Sequence, residues 1–399
     1  MIHTAPWWLF LACAPVIYWN LPSAWRPWAL GLGSLALLSI WSRGDLLVMV
    51  VLAALVFGGP RLDPDRMPTL LVRAGRSTWP AWLVFGYFIW SKYLPAMALV
   101  MGGQGGFLDV AVPLGVSYFS FKLLHYAIET KRGNFPPHDA GDFVSWLFLA
   151  PIFTAGPIER FEHFLAERET ARFEGRFVVE GGLRITQGLV KKFFVGVLVL
   201  EAQQRVSGGG VVELLGALDT VSPGVIWAFL ALTLLYVYLD FSAYSDIAIG
   251  SSRLFGLRIM ENFNYPFLAT SLQGFWQRWH MTLANWCRTY IYMSMIGLTR
   301  NPYVAVIATF VVMGLWHAAS PHWIAWGFWH GLGMAGILVW QRFAMKRRIK
   351  FFKTRAGGVA GWALTMAYVT LGGAFTLLHD REPVFQSVRL IAAAFGIDL

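Results

Sequence analysis

The sequence has little cysteine, little charge and few acidic residues. Cys13 and Cys287 are its only cysteines, too few for a disulfide framework and without the spacing of a zinc site. Charged residues make up 14% of the 399 residues, against about 25% in a typical soluble domain. This composition argues against a soluble enzyme and indicates a protein built for the lipid bilayer.

Apolar residues, in contrast, are abundant: they make up 57% of the chain, and the mean hydropathy is +0.54. A membrane-spanning helix needs about 20 apolar residues, so the chain has room for roughly 10–11 transmembrane helices. We therefore predict an all-α polytopic membrane protein. The apolar segments lie near residues 5–19, 27–42, 45–58, 79–101, 107–128, 184–201, 225–250, 303–318, 321–341, 359–378 and 384–397.

Two further stretches are too broken or too polar to cross the bilayer. Residues 142–158 contain Pro151, Gly156 and Pro157, which interrupt a helix, so we expect a re-entrant segment there. Residues 262–299 mix aromatic side chains with glutamine, arginine and histidine, and this pattern predicts amphipathic helices. Together with the spanning helices, these segments are expected to surround a buried reaction chamber.

The net charge of +10 arises from 32 lysines and arginines against 22 acidic residues. The basic residues lie in short loops between apolar segments, a distribution that argues against nucleic acid as a partner and indicates membrane topology. The densest basic run lies in the loop 342–355. Placing that loop in the cytoplasm gives a consistent topology, so we expect a multi-pass protein of the cell inner (plasma) membrane, with the lipid bilayer as its permanent surroundings.

Three histidines, His317, His322 and His330, lie within the apolar stretch 303–331. Imidazole is costly in hydrocarbon, and histidine exchanges protons near neutral pH, so we expect proton-transfer chemistry inside a membrane. An interhelical hydrogen bond is the alternative for His317. We expect His330 to have a hydrogen-bonded packing role and His322, next to Pro321, to face solvent. The histidine spacing and the lack of a nearby carboxylate argue against a bound metal.

Two aspartates, Asp240 and Asp246, lie near the end of an apolar segment. Carboxylates in such segments are rare and usually have a partner. We expect them to cap helices or to pair with basic residues such as Arg278.

A series of short motifs is more specific than any single residue. The motifs are Gly115-Val-Ser-Tyr-Phe-Ser-Phe121, Lys131-Arg-Gly133, Ala155-Gly-Pro-Ile158, Tyr236-Val-Tyr-Leu-Asp-Phe-Ser-Ala-Tyr-Ser-Asp246, Glu261-Asn-Phe-Asn-Tyr-Pro266, Phe275-Trp-Gln-Arg-Trp-His280, Gly314-Leu-Trp-His317 and Trp329-His-Gly331. In this order they resemble the membrane-bound O-acyltransferases, in the bacterial branch that includes alginate O-acetylation and teichoic-acid D-alanyl transfer proteins. We predict a single integral-membrane domain over residues 1–399, with the motif-bearing core at 110–340.

The resemblance implies acyl transfer from a thioester donor to a hydroxyl group, with His317 as the essential catalytic residue and His280 as the second. A positioned base of this kind contributes about 10²–10⁴-fold to the rate. No cofactor is expected to be bound permanently; the donor would be acetyl-CoA or an acyl carrier protein thioester.

Four further residues are expected to contact the donor. Arg278 and Arg288 are suited to meet its phosphates, and Trp276 and Trp316 are expected to lie against it. Trp316, together with Trp323 and Trp326, is also expected to exclude the water that would hydrolyse the thioester.

The expected acceptor is a hydroxyl of an exported polysaccharide or of a periplasmic helper protein, and the expected acyl group is acetyl. D-alanyl transfer to teichoic acid is the alternative within the same branch. A periplasmic transferase is a further expected partner. A proton-coupled secondary transporter, which would use His317 and the two aspartates as a proton relay, is the alternative from another functional class, and a non-catalytic scaffold is a third.

Overall fold

A computed structural model of the chain describes residues 2–59, 79–93, 114–349, 351–378 and 382–399. Over these residues the secondary structure is helical, without a β-strand, in agreement with the predicted all-α class. The α-helices are, in chain order, α1 (Ala5–Asn20), α2 (Arg26–Leu38), α3 (Arg43–Gly58), α4 (Trp79–Lys92), α5 (Val116–Arg132), α6 (Ala140–Leu147), α7 (Phe161–Thr170), α8 (Gly175–Val190), α9 (Gly196–Ser207), α10 (Val211–Gly216), α11 (Pro223–Arg253), α12 (Leu272–Trp276), α13 (Met281–Cys287), α14 (Met293–Thr299), α15 (Pro302–His317), α16 (Pro321–Lys346), α17 (Arg355–Leu377) and α18 (Val384–Ala393).

The chain divides into two compact units: Met1–Gln187 with Tyr244–Met260, and Gly188–Ala243 with Glu261–Leu399. In the first unit, buried aromatic rings of α5, α6 and α7 form the centre of the core. The rings of Tyr126 and Phe143 lie 4.5 Å apart, and those of Trp146 and Phe161 lie 5.0 Å apart. Aromatic pairs at such distances add roughly 0.5–1.5 kcal/mol beyond the area that they bury.

Within the first unit, the start of α8 lies against the end of α11 at a contact between two glycines. A Cβ added at Gly181 would lie 2.7 Å from the carbonyl oxygen of Gly250, so only glycine permits this approach. Ion pairs accompany the contact: Arg184 Nε lies 2.7 Å from Asp246 Oδ1, and Arg253 lies 2.8 Å from a carboxylate oxygen of Glu180. Asp246 therefore pairs with a basic residue, as expected, and this residue is Arg184 of α8.

The two stretches predicted not to cross the bilayer form short elements. Residues 142–158 contain the end of α6, a 3₁₀ turn at Ala150–Ile152 and a non-helical continuation, with Trp146 and Leu149 buried. Residues 262–299 contain α12, α13 and α14, and a π-helical turn at Arg288–Tyr292 joins the last two. Short helices of this kind agree with the prediction of broken and amphipathic segments.

In the second unit, α15 and α16 form an antiparallel hairpin whose backbones approach closely. Glycines permit this approach: a Cβ added at Gly327 would lie 2.6 Å from the carbonyl oxygen of Phe310, and one at Gly314 would lie 2.1 Å from that of Trp323. Small residues at a helix contact are typical of membrane proteins, since packing and not the hydrophobic effect holds such helices together. The hairpin determines where the end of α15, and with it His317, lies.

Two of the described helices, α11 and α17, are long and apolar enough to cross a membrane by length and composition. Helices α1, α3 and α15 have 16 residues each, short of the roughly 20 that a span needs. The number of 10–11 spans therefore stays a prediction. Several helices nevertheless expose apolar stripes, which a soluble monomer rarely does. Examples are Leu47, Val51 and Leu55 on α3, and Phe328, Leu332 and Val339 on α16.

We predict that Gly327→Ala lowers the free energy of unfolding by about 1–3 kcal/mol, since the new methyl group overlaps the backbone of α15. The measurement is the thermal unfolding midpoint of the purified protein in detergent. Gly336→Ala is the matched control on the same helix, because nothing lies within 4 Å of a Cβ there. Its midpoint should stay the same or rise, and equal falls in both variants would contradict the packing described for the hairpin.

Candidate active site

His317 is the last residue of α15, and the local sequence explains why the helix stops there. The helix begins at Asn301, whose side chain accepts hydrogen bonds from the backbone N–H groups of Tyr303 and Val304 at 2.9 and 3.3 Å. After His317 the backbone becomes extended at Ala318, and Ser320 then caps the start of α16. The imidazole of His317 therefore lies at the turn of the hairpin, half-buried.

Three indole rings surround the His317 ring; we call Trp316, Trp323 and Trp326 the tryptophan cluster. Trp323 stacks on His317 with a centroid distance of 4.1 Å and an angle of 10° between the planes. Trp316 and Trp326 lie at 4.6 and 5.8 Å and present tilted or edge-on rings. These contacts limit the orientations of the imidazole, and the exclusion of water by the cluster stays a prediction.

His280 lies in the turn between α12 and α13 and has a left-handed backbone, with φ of 44°. Such a conformation is rare for a residue other than glycine and tends to occur at functional sites. The side chain is buried, and burial lowers the pKa of His280 to about 3. The imidazole is therefore neutral at physiological pH.

The hydrogen bonds of His280 determine which of its nitrogens carries the proton. Nδ1 lies 3.0 Å from Oδ1 of Asn262, which is an acceptor, so Nδ1 is the protonated nitrogen. Nε2 is buried and has no hydrogen-bond partner among the described residues. It therefore presents a lone pair that is available to a substrate proton.

The two predicted catalytic histidines share one neighbour, Trp316. The ring of His280 lies 6.5 Å from that of Trp316, which in turn lies beside His317. On its other side, His280 packs edge-on against Phe241 of α11 at 4.7 Å. The second unit thus brings together His317, His280 and Trp316, three of the six predicted site residues.

A cavity of about 480 Å³ lies in the same unit, within the range of small-molecule sites. Its walls come from α12, α13, the π-helical turn, α15 and α16. Trp276 and Arg288 are among the lining residues, whereas the two histidines, Trp316 and Arg278 are not. Arg288 and Tyr292 begin and end the π-helical turn. Such turns are frequent at functional sites because they re-aim side chains.

The cavity and His317 lie along one face of α15. Val306, Phe310 and Met313 line the cavity, and their spacing of four and three residues continues with four more to His317. The ring of Trp276 contacts that of Trp326 at 5.8 Å, and Trp326 contacts His317. The contacting indole rings of Trp276 and Trp326 therefore lie between the cavity and His317.

The predicted arginines remain available for an anionic ligand. Arg288 is exposed and Arg278 is half-buried, and within the described residues neither guanidinium forms an ion pair. Asp240 pairs with a basic residue, as expected, and this residue is Lys192, which follows α8 in the chain. This pairing leaves both arginines free of an acidic partner there.

The prediction for His322 was wrong, whereas the packing predicted for His330 is present. His322 is buried and not solvent-facing, because the hairpin folds the start of α16 into the protein. His330 packs among the rings of Trp276, Phe310 and Trp326, as expected, although its Nδ1 has no hydrogen-bond partner in the described part of the chain. Among the described residues, no group of three or more His, Cys, Asp or Glu side chains is placed to hold a metal ion.

Residues 78–378 match the sequence model of MBOAT, the membrane-bound O-acyltransferase family. The chain belongs to this family. The match includes the tryptophan cluster, both candidate histidines and the cavity, and it confirms the resemblance drawn from the motifs.

Several curated proteins are similar to this family member. A probable alginate O-acetylase of Pseudomonas aeruginosa is 33% identical over 261 residues, which cover 63% of this chain and 48% of the relative. Its counterpart in Pseudomonas putida is 32% identical over 322 residues, 78% of this chain and 62% of the relative. A teichoic acid D-alanyltransferase of Streptococcus thermophilus is 31% identical over 259 residues, 61% of this chain and 60% of the relative. The chain thus spans about half to three fifths of the length of these relatives.

We predict opposite thiol reactivity at two positions of α13. Cys287 is buried, and burial raises the pKa of its thiol to about 12, whereas Asn285 is exposed at the cavity. With Cys13→Ser as background, a polar maleimide should not label Cys287 in the folded protein, because the thiolate is the reacting species. Asn285→Cys, made together with Cys287→Ser, should be labelled. The readout is the mass of the intact protein, and equal labelling of both would mean that α13 is oriented differently.

Proposed function

We propose that this protein is a membrane-bound O-acyltransferase that moves an acetyl group from a cytoplasmic thioester donor to a hydroxyl of an exported polysaccharide. The observation that carries the proposal is the shared site: His280, with a bare Nε2, and His317 both lie beside Trp316. Membership of the acyltransferase family supports this chemistry over a proton-coupled transporter.

The reaction needs a base because a sugar hydroxyl is a poor nucleophile. In the proposed mechanism, His317 takes the hydroxyl proton as the oxygen attacks the thioester carbonyl carbon. Nε2 of His280 accepts a hydrogen bond from a neighbouring hydroxyl of the sugar, which orients the attacking hydroxyl. The tetrahedral intermediate then loses the thiolate as the C–S bond breaks, and the imidazolium of His317 returns the proton to sulfur. The products are the ester and the free thiol, and both histidines end in their starting state.

The tryptophan cluster has a separate task in this mechanism. A thioester that meets water at the base is hydrolysed, so the site must exclude water while it admits the acceptor. The stacking of Trp323 on His317 and the edge contacts of Trp316 and Trp326 leave little room for water on those sides of the imidazole.

For the donor, the cavity of about 480 Å³ is the proposed site. Acetyl-CoA and the phosphopantetheine arm of a carrier protein both carry phosphate, and Arg288 at the cavity, with Arg278 in the preceding turn, offers cations for it. Trp276 provides an apolar wall between the cavity and Trp326. Acetyl is favoured by the alginate O-acetylases, one of which matches 78% of the chain; the D-alanyltransferase of Streptococcus thermophilus makes D-alanyl the second candidate.

We further propose a multi-pass location in the plasma membrane, with the loop 342–355 in the cytoplasm and the acceptor approaching from outside. The two long apolar helices and the exposed apolar stripes support a membrane setting. A periplasmic transferase that takes the acyl group onward is the proposed partner.

The first test measures ester groups on the surface polysaccharide by NMR. Cells that lack the gene are complemented with wild type, His317→Ala, His280→Ala or His3→Ala, at matched protein levels in the membrane. We predict that the two site variants lose about 10²–10⁴-fold of the transfer rate, as expected for a lost base or its partner. His3→Ala, the same change at an exposed residue of the first unit, should retain activity. Full ester signals with His317→Ala would contradict the mechanism, and the chemical shifts distinguish acetyl from D-alanyl.

A second prediction concerns the donor. Arg288→Gln removes a charge at the cavity. We expect the KM for the thioester to rise by about tenfold, which corresponds to the loss of one hydrogen bond to a charged group, with little change in kcat. Arg347→Gln, an exposed residue of the basic loop, removes the same charge away from the cavity and should leave KM unchanged. Initial transfer rates with purified protein at varied donor concentration make the measurement. An unchanged KM in Arg288→Gln would exclude this arginine from the donor site.

A further inference from the structure

The turn that carries His280 is attached to one neighbouring segment, residues 262–264. The backbone N–H of Met281 donates to the carbonyl of Asn262 at 2.9 Å, and the N–H of Asn264 donates to the carbonyl of Arg278 at 2.9 Å. These two bonds lie on either side of His280 in the sequence. They hold its left-handed backbone in place, a conformation that is unfavourable for a residue other than glycine.

The side chain of Asn262 is fully buried, and its Oδ1 accepts from three donors. The donors are Nδ1 of His280 at 3.0 Å, the hydroxyl of Thr282 at 2.8 Å and the backbone N–H of Thr282 at 3.4 Å. A backbone N–H can only donate, so the atom that faces it is the amide oxygen and not the nitrogen. Thr282 thus determines how the Asn262 amide is turned.

We propose that Asn262 is the positioning residue of the reaction centre: it keeps His280 in the tautomer with the proton on Nδ1, so that Nε2 faces the substrate as an acceptor. The proposal rests on the proposed function, in which Nε2 orients the acceptor hydroxyl. Asn262 acts through His280 and does not touch the substrate. Asn262 therefore acts as the group that orients a catalytic histidine, and in this protein that group is a neutral amide.

Because the residue that orients His280 is an amide and not a carboxylate, the pH dependence of the transfer activity is affected. Among the described residues, His280 contacts the rings of Phe241 from α11 and Trp316 from α15 and forms a hydrogen bond with Asn262 from the segment 262–264, and none of these side chains carries a charge. A neutral acceptor fixes the tautomer without stabilising imidazolium. A carboxylate at the same position would also accept from Nδ1, but it would favour the protonated ring and raise the pKa of His280.

The activity test compares two substitutions at Asn262. Asn262→Ala removes the acceptor from Nδ1, and we expect kcat to fall by at least tenfold with little change in the donor KM. Asn262→Asp keeps an acceptor of the same size, and we expect activity to persist at high pH while the acidic limb of the kcat profile moves up by about one pH unit or more. Asn264→Ala is the matched control two residues away, with an exposed side chain. Its profile should match wild type.

A merely structural asparagine would give a different pattern. Both Asn262 variants would then lose protein stability or active fraction, and the shape of the pH profile would stay that of wild type. That result, measured on variants with matched thermal midpoints, would overturn the proposal.

The second measurement does not depend on transfer activity. Solid-state NMR of the full chain in lipid, with isotope-labelled histidine, reports which ring nitrogen of His280 carries the proton, and His280→Gln identifies the signal among the nine histidines. We expect the proton on Nδ1 in wild type and a shift of the population toward Nε2 in Asn262→Ala. A proton on Nε2 in wild type, or the same tautomer in both proteins, would overturn the proposal. If wild type shows no acyl transfer but the expected tautomer, the proposed function fails and the positioning role stands.

Discussion

The close contact of α15 with α16 is the constraint on which the rest of the site depends. Gly314 and Gly327 let the two backbones approach to distances that no side chain permits. This approach brings Trp323 and Trp326 of one helix around His317 at the end of the other. Because membrane helices gain little from the hydrophobic effect, such packing supplies much of the energy that orders the site. A greater distance between α15 and α16 would separate His317 from the rings of Trp323 and Trp326.

Charge is arranged so that the reaction centre stays neutral. The aspartates of α11 are paired with basic residues, Asp240 with Lys192 and Asp246 with Arg184, and each pair lies within one unit of the chain. Among the described residues, the groups in contact with His280 are the rings of Phe241 and Trp316 and the amide of Asn262. A neutral setting keeps an imidazole unprotonated, which a base or a hydrogen-bond acceptor requires. The cations Arg278 and Arg288 remain without acidic partners among the described residues, as a phosphate-bearing donor requires.

The sequence alone was sufficient for the helical class and the family, because these depend on composition and on motifs of adjacent residues. The catalytic role of His317 stays a prediction. The sequence also named Trp276 and Arg288, and both residues line the cavity. It did not reveal Asn262, although its motif was noted, since the contact joins residues 18 positions apart through a turn with a left-handed residue. The partners of the aspartates were missed for the same reason: helix packing, not local sequence, brings together residues 48 and 62 positions apart. His322 was misjudged because proline at a helix start was taken as a sign of exposure.

The central claim is that His280 and His317 act at one reaction centre, and a double-mutant cycle on the transfer rate tests it most directly. The cycle compares wild type, His280→Gln, His317→Ala and the double variant in purified protein at saturating donor. Residues that act as a unit lose their joint contribution once, so the double variant should be about as slow as the slower single variant. If the two losses multiply instead, the histidines act independently, and the shared site described here is wrong.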